Sequence, residues 1–302
     1  MHRRCKNIDI TNIETIKPWV TDCCMRHKHR YDFKKLFIHH GMRERDYDYA
    51  IASHKNYMFH LFIGNICLDA IERIKNKSLD LPPVQITEKE DKTTGKIRLI
   101  GRESAMQQVL DYIAVYSCMD IFKARMVIEQ ASSIPNRGQV YGKNIIKKWI
   151  DKDNDSMRYA ERHGYHYTRK CKYFVKLDIR KCYPTAHTDI FMNLFRRDCG
   201  NEDILWLWEE LLNSHKVDGY GGFMIGALPS QWACQYMISF IYRFAKQQGV
   251  TRRGKFKRAI NHIMMFMDDM LFIGSNRSQI KKAVERTIKY VKENLGWDIK
   301  PN

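Results

Sequence analysis

The chain has 302 residues, of which 44% are hydrophobic and 12% aromatic, so it can bury the core of one or two compact units. Lysine and arginine number 52 against 34 aspartate and glutamate residues, and the resulting charge of +18 favours a polyanionic partner, although a ribosome-associated or anion-binding protein would share it. The sequence shows no apolar run long enough to cross a bilayer and no signal peptide, which predicts a cytoplasmic protein without membrane contact. Its nine cysteines follow no regular array, which predicts reduced thiols.

The first 82 residues are predicted to form a helical N-terminal region. Apolar residues recur at helical spacing between positions 10 and 80, and Pro82 and Pro83 then stop the helix, because the residue before a proline avoids helical angles. Two short apolar stretches, 84–86 and 96–100, flank a charged segment and predict a β-hairpin.

A helix is predicted over residues 104–122, and a loop containing Arg137 and Gly138 leads into another helix over 143–150. The composition then turns polar, with few aliphatic residues, between positions 151 and 170. This change predicts a surface insertion that ends a second region spanning residues 83–170.

The third region, residues 171–302, begins with a strand whose apolar residues alternate at period two and which ends at Asp178. Helices, a basic connector, an acidic hairpin and a closing helix follow. Their predicted ranges are 190–195, 204–212 and 229–246 for helices, 251–258 for the connector, 264–273 for the hairpin and 280–295 for the closing helix.

The hairpin carries adjacent carboxylates, Asp268 and Asp269, with hydrophobic residues on both sides. Because strand-type residues normally exclude charge, the pair is typical of a tight turn whose acids share one small ion, although a solvated acidic turn is the simpler interpretation. Asp178 lies ninety positions earlier (268 minus 178), which leaves room for a helical excursion between neighbouring strands. Three converging carboxylates would hold Mg²⁺, and two such ions support nucleotidyl transfer.

The order of these elements, from about Lys96 to Asn302, resembles the palm of reverse transcriptases. The resemblance implies an α+β right-hand polymerase fold, with a ferredoxin-like palm over 171–302, fingers over 83–170 and a thumb that is largely absent. Within the family, the segment from Ile225 to Gln231 is similar to the Ile/Val/Leu-Gly-x-x-x-Ser-Gln signature of diversity-generating retroelement enzymes. Phe266 replaces the usual tyrosine of the Tyr-x-Asp-Asp box, a change that should be tolerated.

The resemblance also implies roles for individual residues. It assigns two Mg²⁺ ions, for which Mn²⁺ can substitute, to Asp178, Asp268, Asp269 and the Ile179 carbonyl. The residues implied for the incoming deoxynucleotide are Lys96, Arg98, Tyr183 as the steric gate against a ribose 2′-hydroxyl, and Gln231. Those implied for template and primer are Arg137, Gly138, Ile225, Gly226 and Ser230, and Lys300 is the candidate general acid for pyrophosphate.

The implied partners are an RNA template, a DNA primer and product, deoxynucleoside triphosphates and a basic accessory protein of a retroelement. Two rival interpretations stay open. One is a bacterial defence-associated reverse transcriptase of the abortive-infection type. The other is an inactive, polymerase-derived module that only binds nucleic acid.

Overall fold

A computed structural model describes residues 3–90, 92, 95–216 and 221–301 of the chain. The elements of the first half are α1 (Ile13–His27), α2 (Tyr31–His39), α3 (Glu44–Ala52), α4 (Tyr57–Lys75), β1 (Gln85–Glu90), β2 (Ile97–Arg102), α5 (Ala105–Tyr116), α6 (Met119–Arg125) and α7 (Gln139–Arg162). Those of the second half are β3 (Tyr173–Ile179), α8 (Thr188–Asp198), α9 (Glu202–Ser214), α10 (Leu228–Lys246), β4 (Gly249–Arg252), β5 (Lys255–Arg258), β6 (His262–Phe266), β7 (Asp269–Gly274), α11 (Arg277–Leu295) and β8 (Ile299–Pro301).

The chain divides into two compact units, each assembled from two separate stretches. The first comprises residues 1–124 and 191–232, and the second comprises residues 125–190 and 233–302. The predicted division into an N-terminal region, fingers and palm follows other boundaries and stays a prediction.

Helices form most of the first unit, as the apolar spacing predicted. Helix α1 begins where the Asn12 side chain accepts a hydrogen bond from the Glu14 nitrogen, and it packs against α4 and α5. Strands β1 and β2 form the predicted antiparallel hairpin, although part of its tip lies outside the described residues. The single helix predicted over 104–122 is two helices, because α5 ends at Tyr116 and α6 begins at Met119.

The second unit is built on a four-stranded antiparallel sheet with the order β6-β7-β3-β8. In chain order, the strands of this sheet are β3, β6, β7 and β8. Helices follow β3, and a further helix lies between β7 and β8. This is the element order of a split β-α-β motif. Helix α11 packs on β3, β7 and β8, and α7 packs on β6. Helix α11, the predicted closing helix, begins with an Asn276 side-chain cap and buries its apolar face.

Two predictions about this unit were wrong. The helix predicted to end near Ile150 continues to Arg162, so much of the proposed surface insertion is helical. Within it, Asp153 is buried and its carboxylate accepts hydrogen bonds from the Tyr167 hydroxyl and the Lys170 and Cys171 nitrogens, which fold the returning chain onto α7. The basic connector is a two-stranded hairpin of β4 and β5, whose polar composition concealed its strand pairing.

Candidate active site

Three charged residues form a row across the sheet of the second unit. Asp178 at the end of β3 is the direct cross-strand partner of Asp269 on β7, and on its other side it faces Lys300 on β8. Because directly opposed residues in antiparallel strands project to the same face, the two carboxylates and the ammonium group share one face. The sheet therefore brings Asp178, Asp269 and Lys300 together.

Asp268 lies in the turn that joins β6 to β7. Phe266 and Asp269 are paired across this turn, which leaves Met267 and Asp268 as its two central residues. The backbone nitrogen of Ile179 donates a hydrogen bond of 3.1 Å to the Asp268 carbonyl, which fixes the turn against the end of β3. The side chain of Ile179 is buried and carries no donor atom, so its main-chain carbonyl is the group that it could offer to a metal ion.

Met267 holds this turn in an unusual conformation. Its φ is +53°, in a region that non-glycine residues seldom adopt, so neighbouring contacts must hold it there. The Ser133 hydroxyl and the Gln235 amide both donate to the Met267 sulfur, at 3.0 and 3.3 Å. No pattern in the sequence marked these three residues as supports of the acidic turn.

A loop before α7 supports the same hairpin from the side. The Met265 nitrogen on β6 donates to the Glu129 carbonyl at 2.9 Å, and the Ala131 nitrogen donates to the Met265 carbonyl at 2.8 Å. The buried Gln130 amide nitrogen donates to the Gln235 carbonyl and side-chain oxygen at 2.8 and 2.9 Å. The sequence did not indicate a role for Gln130, because that role depends on a tertiary contact with Gln235, which is distant in the chain.

Arg137 stabilises that loop from within. Its guanidinium donates to the carbonyls of Val127 and Gln130 and lies over the Tyr141 ring. Gly138 starts α7, and a Cβ added there would meet open space. The template contacts expected of Arg137 and Gly138 stay predictions.

Lys176 is a further neighbour of the acidic residues that sequence reasoning missed. It precedes Asp178 by two positions on β3, so both side chains project from the same face. The Lys176 ammonium lies 2.9 Å from Asp269 Oδ1, and this contact, together with the charges of Asp178 and Asp268, raises the pKa of Lys176. Both partners are partly exposed, with 52% and 43% of their side-chain surfaces open to solvent.

The donor chemistry of the three aspartates fits Mg²⁺, which prefers carboxylate oxygens. Their backbones are brought together, yet the three carboxylates are not gathered to within 4.8 Å of one another, and Asp269 is directed at Lys176. Holding one ion jointly therefore requires rotation of these side chains, and a cation at Asp269 would compete with the Lys176 ammonium for the charge of this carboxylate.

A family profile described as "Reverse transcriptase (RNA-dependent DNA polymerase)" matches residues 87–302. The chain belongs to the reverse transcriptase family. The match includes all three aspartates and the hairpin of β1 and β2 except its first residues. Family members use an RNA template, nucleic acid substrates and divalent metal ions.

Two solved structures are similar at low identity. An apo telomerase from Candida tropicalis, truncated from its C-terminal domain, aligns at 15% identity over 73% of this chain and 49% of its own, with a TM-score of 0.44. An RNA polymerase complex inside a double-stranded RNA virus aligns at 9% identity over 78% of this chain and 22% of its own, with a TM-score of 0.45. The chain spans about half the length of that telomerase.

No curated protein matches the chain. Among its described residues, no helix is both long and apolar enough to cross a membrane.

Tyr183, which was predicted to be the steric gate, is half-buried in the turn after β3. Its neighbour Cys182 is buried, and the Cys182 sulfur lies 3.3 Å from that of Cys234 on α10. The Trp297 indole donates to the Cys182 carbonyl at 2.9 Å. Contact with Cys234, followed by burial, raises the pKa of Cys182 well above its usual value, so this thiol stays protonated.

In the first unit, the β1–β2 hairpin, which carries Lys96 and Arg98, is hydrogen-bonded to the signature loop, the residues Ile225 and Gly226 that begin the signature from Ile225 to Gln231. Both side chains are exposed, and the Gly101 nitrogen donates to the Ile225 carbonyl at 3.0 Å. Gly226 has a φ of +107°, and a Cβ added there would lie 3.1 Å from the Gly101 carbonyl. Glycine is therefore required where the signature loop meets the hairpin.

The remaining signature residues begin α10. Ser230 is fully buried and its hydroxyl has no hydrogen-bond partner. Gln231 is half-buried, and its backbone nitrogen donates to the Ala227 carbonyl at 3.3 Å. The nucleotide and primer contacts expected of these two residues stay predictions.

Proposed function

We propose that this reverse transcriptase adds deoxynucleotides to a primer 3′-hydroxyl on an RNA template, with Asp178, Asp268 and Asp269 as its metal-binding residues. The observation that carries the proposal is the row of Asp269, Asp178 and Lys300 across three strands, with Asp268 bonded to the next residue of β3. Such a group of acidic residues beside a cation matches the needs of phosphoryl transfer, where catalysis is mostly positioning and electrostatic stabilisation.

The three carboxylates, with the Ile179 carbonyl, would hold two Mg²⁺ ions, for which Mn²⁺ can substitute. Bound there, the ions would stabilise the attacking and leaving oxygens of the displacement at the α-phosphate. Lys300, exposed beside Asp178, would donate a proton to the departing pyrophosphate.

Four residues are proposed to bind the incoming nucleotide. Arg98 would contact the triphosphate in bidentate geometry and Lys96 as a point charge, and both are exposed on the hairpin side. The Tyr183 ring would exclude a ribose 2′-hydroxyl, and Gln231 would lie beneath the new base pair. The charge of +18 supports the accompanying electrostatic contact with template and product.

The signature from Ile225 to Gln231 favours the diversity-generating retroelement type. In that assignment Ile225, Gly226 and Ser230 contact the template and primer, Arg137 and Gly138 lie on the template side, and a basic accessory protein assists. A variable-repeat and template-repeat pair beside the gene would support this type. A lone operon with a noncoding RNA would favour the defence-associated type instead.

Primer extension tests the activity. Purified protein is given poly(rA)/oligo(dT) or a mixed-sequence RNA template with a DNA primer, and each nucleotide mixture is tested with Mg²⁺ and with Mn²⁺. We expect deoxynucleotide incorporation that is lost in Asp178→Asn and Asp268→Asn. Tight RNA binding with no incorporation under either metal would indicate the inactive binding module.

A further inference from the structure

Three buried ionisable residues cluster in the first unit, outside the proposed active site. Glu103 precedes the Ser104 cap of α5, Asp111 lies two turns into α5, and His215 ends α9. Helices α5 and α9 pack together, which brings the three side chains into one group. Asp111 and His215 are fully buried and Glu103 is 7% exposed.

This cluster has more polar atoms than hydrogen bonds. The His215 Nε2 donates to Glu103 Oε1 at 2.7 Å, and the Asp111 carboxyl lies close enough to Glu103 for a second bond when one of the two is protonated. With Asp111 ionised, both of its oxygens and Nδ1 of His215 are buried without a hydrogen-bond donor or partner. An unsatisfied buried polar atom is costly, and native structures leave few of them.

Gln107, which lies on α5 like Asp111, adds a fourth unsatisfied atom. It lies four residues before Asp111, so the two side chains occupy the same face of α5. Its amide nitrogen donates to the Ser214 hydroxyl at 2.8 Å, next to His215, whereas its buried oxygen has no partner. Three side chains with unpaired oxygen or nitrogen acceptors are thus gathered between α5 and the end of α9.

We propose that Glu103, Asp111 and His215 bind a divalent transition-metal ion that stabilises the first unit. One ligand atom from each residue lies within 4.8 Å of those from the other two, a spacing that a single ion spans after small side-chain rotations. Zn²⁺ is commonly bound by one histidine and two carboxylates. Mg²⁺ prefers oxygen ligands, so the imidazole ligand favours binding of Zn²⁺ over binding of Mg²⁺. The Gln107 oxygen is a candidate fourth ligand.

The rival explanation is a proton instead of a metal ion. Burial, followed by the nearby Glu103 carboxylate, raises the pKa of Asp111 well above its usual value. A neutral Asp111 beside a Glu103–His215 ion pair would leave the cluster without a net charge of its own. A protonated Asp111 carboxyl would also donate a hydrogen bond to Glu103, so the atom still without a partner would be Nδ1 of His215.

Metal content and thermal unfolding distinguish these explanations. The protein tested is the full chain without a histidine tag, with Asp178→Asn and Asp268→Asn to weaken metal binding at the proposed catalytic site. It is dialysed without chelator, and its zinc content is measured by mass spectrometry. We expect about one Zn²⁺ per chain, and a melting temperature in ZnCl₂ at least about 5 °C above that in EDTA. MgCl₂ should give no comparable rise.

Substitutions then locate the ion. Asp111→Asn and His215→Gln should each lose the bound zinc and the melting-temperature rise, whereas Asp153→Asn, at a buried aspartate of the other unit, should keep both. If a variant does not fold, the Co²⁺ spectrum of the parent decides, since carboxylate and imidazole ligands give no thiolate charge-transfer band. Absence of zinc and of any shift would overturn the proposal, as would zinc that persists in Asp111→Asn.

Discussion

The backbone nitrogen of Ile179 donates a hydrogen bond to the Asp268 carbonyl, so the acidic turn is tied to the strand that ends beside Asp178. Two segments ninety residues apart in sequence are thereby held in one fixed register (268 minus 178). The first prediction follows from this relationship. Asp268→Asn removes one charge while keeping the size of the side chain, and we expect primer extension to fall at least about 100-fold.

That prediction is checked by single-nucleotide incorporation rates, with circular dichroism to confirm folding. The backbone bond to Ile179 does not involve the side chain, so the turn should survive the substitution. A folded variant that extends primers as fast as the parent would refute the assigned role of Asp268.

Lys176→Met should lower the Mg²⁺ concentration needed for half-maximal activity. The ammonium group contacts Asp269 Oδ1 at 2.9 Å, so it competes with a metal cation for the charge of this carboxylate. Because the ion pair is exposed, its contribution is small, and we expect a change of about 2–5-fold. A Mg²⁺ titration of the extension rate measures it.

Lys172→Met is the matched control, because this lysine is near the other end of β3 and its ammonium lies over the Tyr173 ring. It should leave the Mg²⁺ requirement unchanged. An increased requirement in Lys176→Met would show that the lysine positions Asp269 for metal binding instead of competing with the ion.

Gln130→Leu should weaken both the fold and the active site. The substitution leaves the buried Gln235 side-chain oxygen without its donor and disturbs the amide that contacts the Met267 sulfur. The loss of buried hydrogen bonds predicts a decrease in unfolding free energy of about 1–3 kcal/mol. Urea unfolding measures this cost, and extension rates below the melting transition measure misplacement of the turn. Normal activity in a destabilised variant would show that Gln130 has no positioning role.

Asp153→Ala should destabilise the second unit by about 2–4 kcal/mol, because it removes a buried carboxylate that accepts three hydrogen bonds. The exposed Asp155, on the same helix, supplies the control Asp155→Ala, which should change stability little. Chemical denaturation compares the two. Although burial opposes it, the hydrogen bonds from Lys170, Cys171 and Tyr167 lower the pKa of Asp153. This group's contribution should therefore persist at neutral pH and be lost only as the pH falls below about 4.

His262 predicts a loss of stability in mild acid. Burial and the nearby charges of Lys246 and Lys170 lower its pKa from 6.5 to about 4. Between these values the unfolded chain binds a proton that the folded chain does not, so stability falls as the pH drops from 6.5 towards 4. Allowing for partial exposure, we expect a loss of about 1–2 kcal/mol.

His262→Gln should remove most of that pH dependence, although it also replaces the ring that stacks on Trp149 at 4.7 Å. His163, an exposed histidine that stacks on Tyr159, provides the control His163→Gln. Unfolding free energies measured from pH 4 to 7 decide the matter. An unchanged pH dependence in His262→Gln would contradict this assignment.

The sequence predicted the strands of the main sheet and of the first hairpin, the acidic hairpin and most helices, because apolar spacing reports which face of an element is buried. It did not predict the continuation of α7 to Arg162, since polar residues there hid a helix whose key contact, Asp153, depends on a distant return segment. The pairing of β4 with β5 was hidden in the same way, because all four residues of β5 are exposed.

The acidic residues of the candidate site were recognisable from local pattern, whereas their supports were not. Asp268 and Asp269 interrupt a hydrophobic segment, which is visible in one dimension. Gln130, Ser133 and Gln235 act on Met267 through contacts that join separate stretches, and Lys176 resembles any other lysine on a strand. Such contacts carry no periodic signal.

Each compact unit combines an early stretch of the chain with a later one, the boundaries falling at residues 124, 190 and 232. A single cut in the chain therefore cannot release either unit intact. A fragment that ends at residue 124 would lack residues 191–232 of the first unit. A fragment that starts at residue 125 would contain residues 191–232 without the rest of the first unit. Deletion mapping would expose apolar surface in both pieces, so dissecting this protein calls for point substitutions instead of truncations.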